Sequence, residues 1–167
     1  MIGNDVIDLA LAKKESNWQR KGFIDKIFTS SEQLLILNSE EPEITVWYLW
    51  SQKEAAYKIY NRQTKVRAYI PLQFECFHIE VSDGIHYGKV HISNQIYFTK
   101  TNITLDYIDT VAVVNTYDFE RIQSLDSTIK VQKTNGIPYY YSPSKKGFKP
   151  LSKSHHGRYE HIVTLFD

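Results

Sequence analysis

The stretch Trp47-Tyr48-Leu49-Trp50-Ser51-Gln52-Lys53-Glu54-Ala55-Ala56-Tyr57-Lys58 sets charge inside a run that otherwise has the composition of a core. Pro42 suits the first turn of a helix, and no Gly or Pro interrupts one from Glu43 to Arg62. Ile44, Tyr48, Ala55 and Ile59 recur at the three-and-four spacing of a buried stripe. Trp47, Trp50, Glu54 and Lys58 share that spacing beside it, so a carboxylate and an ammonium stand one turn apart against two indoles. As an exposed helix ion pair they would contribute only about 0.2–0.5 kcal/mol. A carboxylate next to large apolar rings is desolvated, however, and a cation, a divalent metal included, offsets that cost. Ala55 and Ala56 shorten their side of the helix and let another segment approach.

Outward from this helix, composition narrows the classes. A chain of 167 residues, 42% hydrophobic with few Gly or Pro, suits one folded domain with its own core and argues against disorder. The single cysteine, Cys76, excludes an internal disulfide and a Cys-based zinc site, and reads as a buried thiol in a reducing cytoplasm. Met1-Ile2-Gly3-Asn4-Asp5 lacks the basic start of a secretory signal, and no apolar run approaches the ~20 residues that span a bilayer. Twenty Lys+Arg against nineteen Asp+Glu leave a net charge of +1, so neither nucleic acid nor membrane is expected as a partner. The cations are nevertheless clustered. Lys130, Lys133, Lys145, Lys146, Lys149, Lys153 and Arg158 follow one another with no acid between them, and Lys58, Arg62, Lys65 and Arg67 form a second basic segment. Together they could line a site for a polyanionic ligand or an acidic protein, or else form a solvated loop.

Met1 to Leu9 reads as a strand in which Asp5 is out of place, since acids form strands poorly and a buried one needs a donor or a metal. Asp5 and Asp8 are three apart and point to opposite faces, which makes Asp5 the candidate site residue and Asp8 an orienting or capping group. Ala10 to Lys26 suits a loop and short helix, and Thr29-Ser30-Ser31-Glu32 has the form of a capping box opening a helix that stops near Asn38. Phe74 to Val81, Ile85 to Ile92, Ile96 to Thr99 and Tyr107 to Thr116 alternate as an antiparallel meander with turns at Ser82-Asp83-Gly84 and Ser93-Asn94. Lys130 to Lys149 is looser, and Tyr159 to Phe166 reads as a last strand. The expected class is α+β, an antiparallel sheet packed against a long central helix.

Three stretches together resemble the 4′-phosphopantetheinyl transferase superfamily. Ile2-Gly3-Asn4-Asp5-Val6-Ile7-Asp8 is similar to its first signature, a Gly-x-Asp followed by another acid, with Asn4 where Ile is commoner. Trp50 to Lys58 matches W-x-x-K-E-A-x-x-K at every defining position, and Phe28-Thr29-Ser30-Ser31-Glu32 matches the segment that precedes it. Ser152-Lys153-Ser154-His155 resembles the S-x-S-H element. This order is that of the small holo-acyl-carrier-protein synthase type, so the resemblance implies one α+β domain, residues 1–167, and a possible homotrimer. The chain is longer than that type, and the meander around 74–117 is the candidate insertion. Either Gly136-Ile137-Pro138 or the looser Gly147-Phe148-Lys149-Pro150 plays the part of the family's Gly-x-Pro turn.

The resemblance implies transfer of the phosphopantetheine arm of coenzyme A to a serine of an acidic acyl or peptidyl carrier protein, releasing adenosine 3′,5′-bisphosphate. Fatty-acid, polyketide, peptide-synthetase and pigment pathways all use such carriers. Mg²⁺ prefers oxygen ligands and takes one or two carboxylates plus phosphates and water, so Asp5 and Glu54 are the implied metal ligands. Glu54 is the implied base and Lys58 the residue that reaches a phosphate oxygen or relays a proton. Lys53, about 100° round the helix, is expected at the surface or on the coenzyme, and Ser154 and His155 on a phosphate of its nucleotide end. Two other readings use the same residues: a metal-dependent phosphohydrolase built on Asp5, Glu54 and His155, and a non-catalytic module that binds coenzyme A.

Overall fold

A computed structural model of the chain describes residues 1–143 and 146–166, so Lys145 of the basic segment lies outside the described residues. Strand β1 (Ile2–Asp8) leads into helices α1 (Leu9–Glu15), α2 (Phe23–Ile27), α3 (Ser30–Leu37) and α4 (Pro42–Thr64). The meander follows as β2 (Glu75–Ser82), β3 (Ile85–Ile92), β4 (Gln95–Ile103) and β5 (Tyr107–Val113). Shorter strands complete the fold: β6 (Ile122–Leu125), β7 (Val131–Thr134), β8 (Ile137–Ser142), β9 (Gly147–Pro150), β10 (Ser152–His156) and β11 (Tyr159–Leu165). The class is α+β, and among the described residues no helix is long and apolar enough to cross a membrane.

β1 pairs antiparallel with β5, giving a five-stranded sheet in the order β1-β5-β4-β3-β2. The meander around 74–117 is therefore built into the main sheet. It supplies four of the five strands, and Val90, Ile92, Tyr97, Ile108 and Ala112 share one core with Ala55, Ala56 and Ile59 of α4. Those strands, with β1, supply the sheet face on which the apolar side of α4 packs. Pro42 occupies the first turn of α4, and Lys65 ends it in the left-handed region at φ 64°, its amide bonded to the Asn61 carbonyl.

The loose region from Lys130 to Lys149 also folds, as the sheet β7-β8-β9. Asn135 and Gly136 both take positive φ (51° and 79°), the backbone a two-residue hairpin turn needs. The last sheet, β10-β11-β6, brings Ser152 to His156 back against β1.

α3 opens with the capping box expected of Thr29 and Glu32. Glu32 does more than cap: fully buried, it accepts from the Cys76 amide at 2.8 Å and from the Lys53 ammonium at 2.7 Å. One carboxylate thus ties α3, α4 and the first residues of β2 together.

Candidate functional site

β1 gives one edge to β5, and its other edge is met by side chains instead of a strand. The Asn4, Val6 and Asp8 amides donate to Ser152 Oγ at 3.0 Å, Ser154 Oγ at 3.0 Å and His156 Nδ1 at 2.9 Å. The period of two along β10 places those three acceptors on one face. On the same edge the Ile2 carbonyl accepts from Arg62 at 2.8 Å, and the Asn4 carbonyl accepts from Lys58. Asn4 is itself buried, its side-chain amide donating to the His161 carbonyl at 3.0 Å. Gly3 faces α4, where a Cβ would stand 2.1 Å from the Ala55 carbonyl oxygen. Glycine on the strand and alanine on the helix allow the two to touch.

That contact carries Asp5, on the same face of β1 as Gly3, to the helix turn holding Glu54 and Lys58. Lys58 Nζ lies 3.6 Å from Asp5 Oδ1, and Ser154 Oγ donates to the same oxygen at 3.0 Å. Burial raises the Asp5 pKa while Lys58 and Ser154 pull the other way. At Glu54, burial and then the Asp5 charge push the carboxyl up to about 7, opposed by Lys58 and Tyr69. Two carboxylates that oppose each other's ionisation share one ammonium, so the site is short of positive charge. An all-oxygen pair with that deficit fits a hard divalent cation whose other positions go to water and phosphate oxygens. Among the described residues no three His, Cys, Asp or Glu side chains are arranged to hold a metal. A cation held by the two acids would need further oxygens, from water or a substrate, to complete its coordination shell, and the denser ligand set of a two-metal hydrolase is not assembled among the described residues.

Asp5 and Glu54 line a cleft of about 460 Å³ walled by Ala12, Phe23, Ile27, Trp47 and Trp50, with Arg20, His155 and His156 around it. His155 also lines a second cavity of about 330 Å³, formed by Lys58, Arg62, Lys133, Lys153, Gly136 and Pro138. The apolar cleft and the basic cavity thus share His155. Of the two Gly-x-Pro turns, Gly136-Ile137-Pro138 faces Lys58 and His155. Pro150 belongs to a different hollow, with Arg62, Lys65 and Lys149.

Lys53 departs from its expected place at the surface or on the coenzyme. Its side chain is 0% exposed, salt-bridged to Glu32 and donating to the Pro71 and Phe74 carbonyls at 3.0 and 2.5 Å. The 100° turn that separates it from Glu54 leads into the core, where its charge is satisfied on all sides. Ser154 faces the site, but its hydroxyl is engaged by the Val6 amide and Asp5 and so orients the acid. His155 is exposed where the two cavities join.

Asp8 caps α1, accepting from the Ala10 and Leu11 amides, and is gripped by Arg158 at 2.9 and 3.0 Å. That guanidinium holds its carboxyl well below the usual range. Arg158 is thereby withdrawn from the basic surface, and Lys153 is paired with Glu160 at 2.7 Å. The sequence reading does not single out Arg20, His156 or Tyr69. Strand alternation from Ser152 would have placed His156 beside the two serines, whereas Arg20 and Tyr69 arrive only through tertiary folding.

A family model described as the 4′-phosphopantetheinyl transferase superfamily matches residues 1–108. Among solved structures, the holo-[acyl-carrier-protein] synthase of Thermotoga maritima is similar, with a TM-score of 0.49 and 16% identity, covering 75% of this chain and 76% of that one. No curated protein matches the sequence.

Proposed function

The chain belongs to the 4′-phosphopantetheinyl transferase superfamily, and from that premise we propose that it transfers the phosphopantetheine arm of coenzyme A to a serine of an acidic carrier protein, as a holo-acyl-carrier-protein synthase does. One observation carries the reading. An aromatic-walled cleft lined by Asp5 and Glu54 and a cationic cavity lined by Lys58 share His155, and Lys58 reaches across to Asp5 at 3.6 Å. Coenzyme A has the matching parts in the same order: a neutral arm, a pyrophosphate and a polyanionic nucleotide. The arm lies in the cleft against Trp47 and Trp50, the nucleotide lies in the cavity by Lys133 and the Gly136–Pro138 turn, and the pyrophosphate lies at the junction.

Asp5 and Glu54 would hold Mg²⁺, which when bound neutralises charge on the pyrophosphate. Glu54 takes the proton of the carrier serine, directly or through water. The serine oxygen bonds to the arm-side phosphorus, the bond to the nucleotide-side phosphate oxygen breaks, and adenosine 3′,5′-bisphosphate leaves. Lys58, already on Asp5, offers its ammonium to that leaving oxygen. Ser154 holds Asp5 in place through the Val6 amide. Lys65, Arg67 and Lys133 make no salt bridge among the described residues and would steer an acidic carrier.

The test is incubation with coenzyme A, Mg²⁺ and a panel of apo-carrier proteins, followed by mass spectrometry. A carrier that gains one phosphopantetheine group, with equimolar adenosine 3′,5′-bisphosphate, is the expected result. Phosphate release without a modified carrier would indicate a phosphohydrolase, and coenzyme binding without turnover a binding module. Either outcome overturns the reading.

A further inference from the structure

After α4 the chain turns back along the helix it has just left. Asn61 donates to the Val66 carbonyl at 2.7 Å, Tyr57 to the Arg67 carbonyl at 2.7 Å, and Lys53 to the Pro71 and Phe74 carbonyls. These donors are spaced four apart, so they form one row along the helix and strap residues 66–74 against it. Tyr69 sits on the strap between the Tyr57 and Lys53 tethers. Its ring centroid lies 4.7 Å from that of Tyr57, 5.8 Å from Trp50 and 5.6 Å from Phe74. Trp50, Glu54 and Tyr57 succeed one another up one helix face, and a ring touching both outer members lies beside the carboxylate between them.

The Tyr69 hydroxyl is buried and has no hydrogen-bond partner among the described residues, whereas a buried phenol ordinarily finds one. The ring contacts with Trp50 and Tyr57 bring that hydroxyl to the helix face that carries the Glu54 carboxylate. In keeping with that, Tyr69 is among the groups that lower the Glu54 pKa, and the Glu54 charge raises that of the phenol. We propose that Tyr69 is a positioning residue of the site, its hydroxyl donating to one oxygen of ionised Glu54 and turning the other towards Asp5. Without that donor the carboxylate rotates about its last bond and is only intermittently aimed at its task. Orienting partners of this kind set metal affinity as much as the ligands themselves do. The inference rests on Glu54 having the role given above.

Tyr69→Phe keeps the ring and removes only the hydroxyl, so it separates orientation from packing. Two measurements on wild type, Tyr69→Phe, Glu54→Met and the double variant decide the matter. In the first, calorimetric titration of metal-free protein with Mn²⁺ should show Tyr69→Phe binding about 10- to 100-fold more weakly, the usual loss for an orienting partner. The Mg²⁺ concentration for half-maximal transfer should rise by the same factor while the KM for coenzyme A stays at the wild-type value. In the second, urea unfolding of the four metal-free proteins should be non-additive, because the two side chains are in contact. Wild-type metal affinity in Tyr69→Phe, or additive unfolding, overturns the proposal. Wild-type protein that neither binds Mn²⁺ nor transfers the arm would instead refute the function, and the unfolding cycle would still decide whether hydroxyl and carboxylate meet.

Discussion

Lys53→Met puts a sharp question to the fold, because the lysine stands in the signature beside Glu54 yet makes all its contacts in the core. Its ammonium answers Glu32 at 2.7 Å, with both side chains 0% exposed, and satisfies the Pro71 and Phe74 carbonyls. Methionine fills similar volume but leaves a buried carboxylate with no counter-charge. Breaking a buried pair from one side typically costs about 3–5 kcal/mol. Against the ~5–15 kcal/mol that usually holds a domain folded, that is a large share. At about 2–4 °C per kcal/mol for a chain of this size, the melting point should fall by roughly 6–20 °C. Urea unfolding of Lys53→Met, Glu32→Gln and the double variant is the assay. The double variant should recover part of the loss, since no charge is stranded, although Gln can accept from only one of the Thr29 and Cys76 amides. A coenzyme contact at this position would behave oppositely, raising the KM for coenzyme A with stability unchanged. Loss below about 1 kcal/mol in Lys53→Met, the range of an exposed pair, would refute the reasoning.

Other outcomes follow from the same geometry. Glu54 titrates at about 7 in the folded protein against an ordinary 4.5, so between those values the native state keeps a proton the unfolded chain has lost. Stability of metal-free protein should therefore fall as pH rises through that window. Glu54→Gln should lack this component and also lose transfer, and a wild-type minus variant difference in melting temperature that is flat from pH 5 to 7.5 would contradict the shift. Gly3→Ala would set a methyl group 2.1 Å from the Ala55 carbonyl oxygen. Backbone cannot yield there as a side chain can, so β1 should part from α4, with a lower melting point and loss of transfer together. Lys58→Ala should cut the turnover number far more than coenzyme affinity, and unchanged turnover would leave Lys58 as a structural cap on the Asn4 carbonyl.

What could be read from the sequence follows the reach of local rules. The helix from Pro42, the capping box at Thr29 and the alternating strands from residue 74 are set by neighbours within a turn or a hairpin, and the structure has them. Asp8 is the cap its position beside a helix suggests. The sheet from Val131 to Pro150 is short-stranded and rich in turn residues, so its pattern is too brief to stand out from a loop. Lys53 is misjudged for a different reason. Helical spacing tells which side of α4 it occupies, but what covers that side depends on Glu32 and on the returning segment at 71–74. Whether a charged side chain meets water or a buried partner is decided by tertiary contacts, and those of Tyr69 and Arg20 are equally silent in the pattern.

The side-chain row that closes β1 also orders events in time. The amides of residues 4, 6 and 8 wait for acceptors 148 positions further along, so the strand bearing Asp5 keeps a bare margin until Ser152, Ser154 and His156 have been synthesised and docked. Pairings of such long range form slowly, and an unprotected strand margin invites other chains meanwhile. A chain released short of residue 152 would leave that margin of β1 open and Asp5 without the Ser154 hydroxyl that holds it.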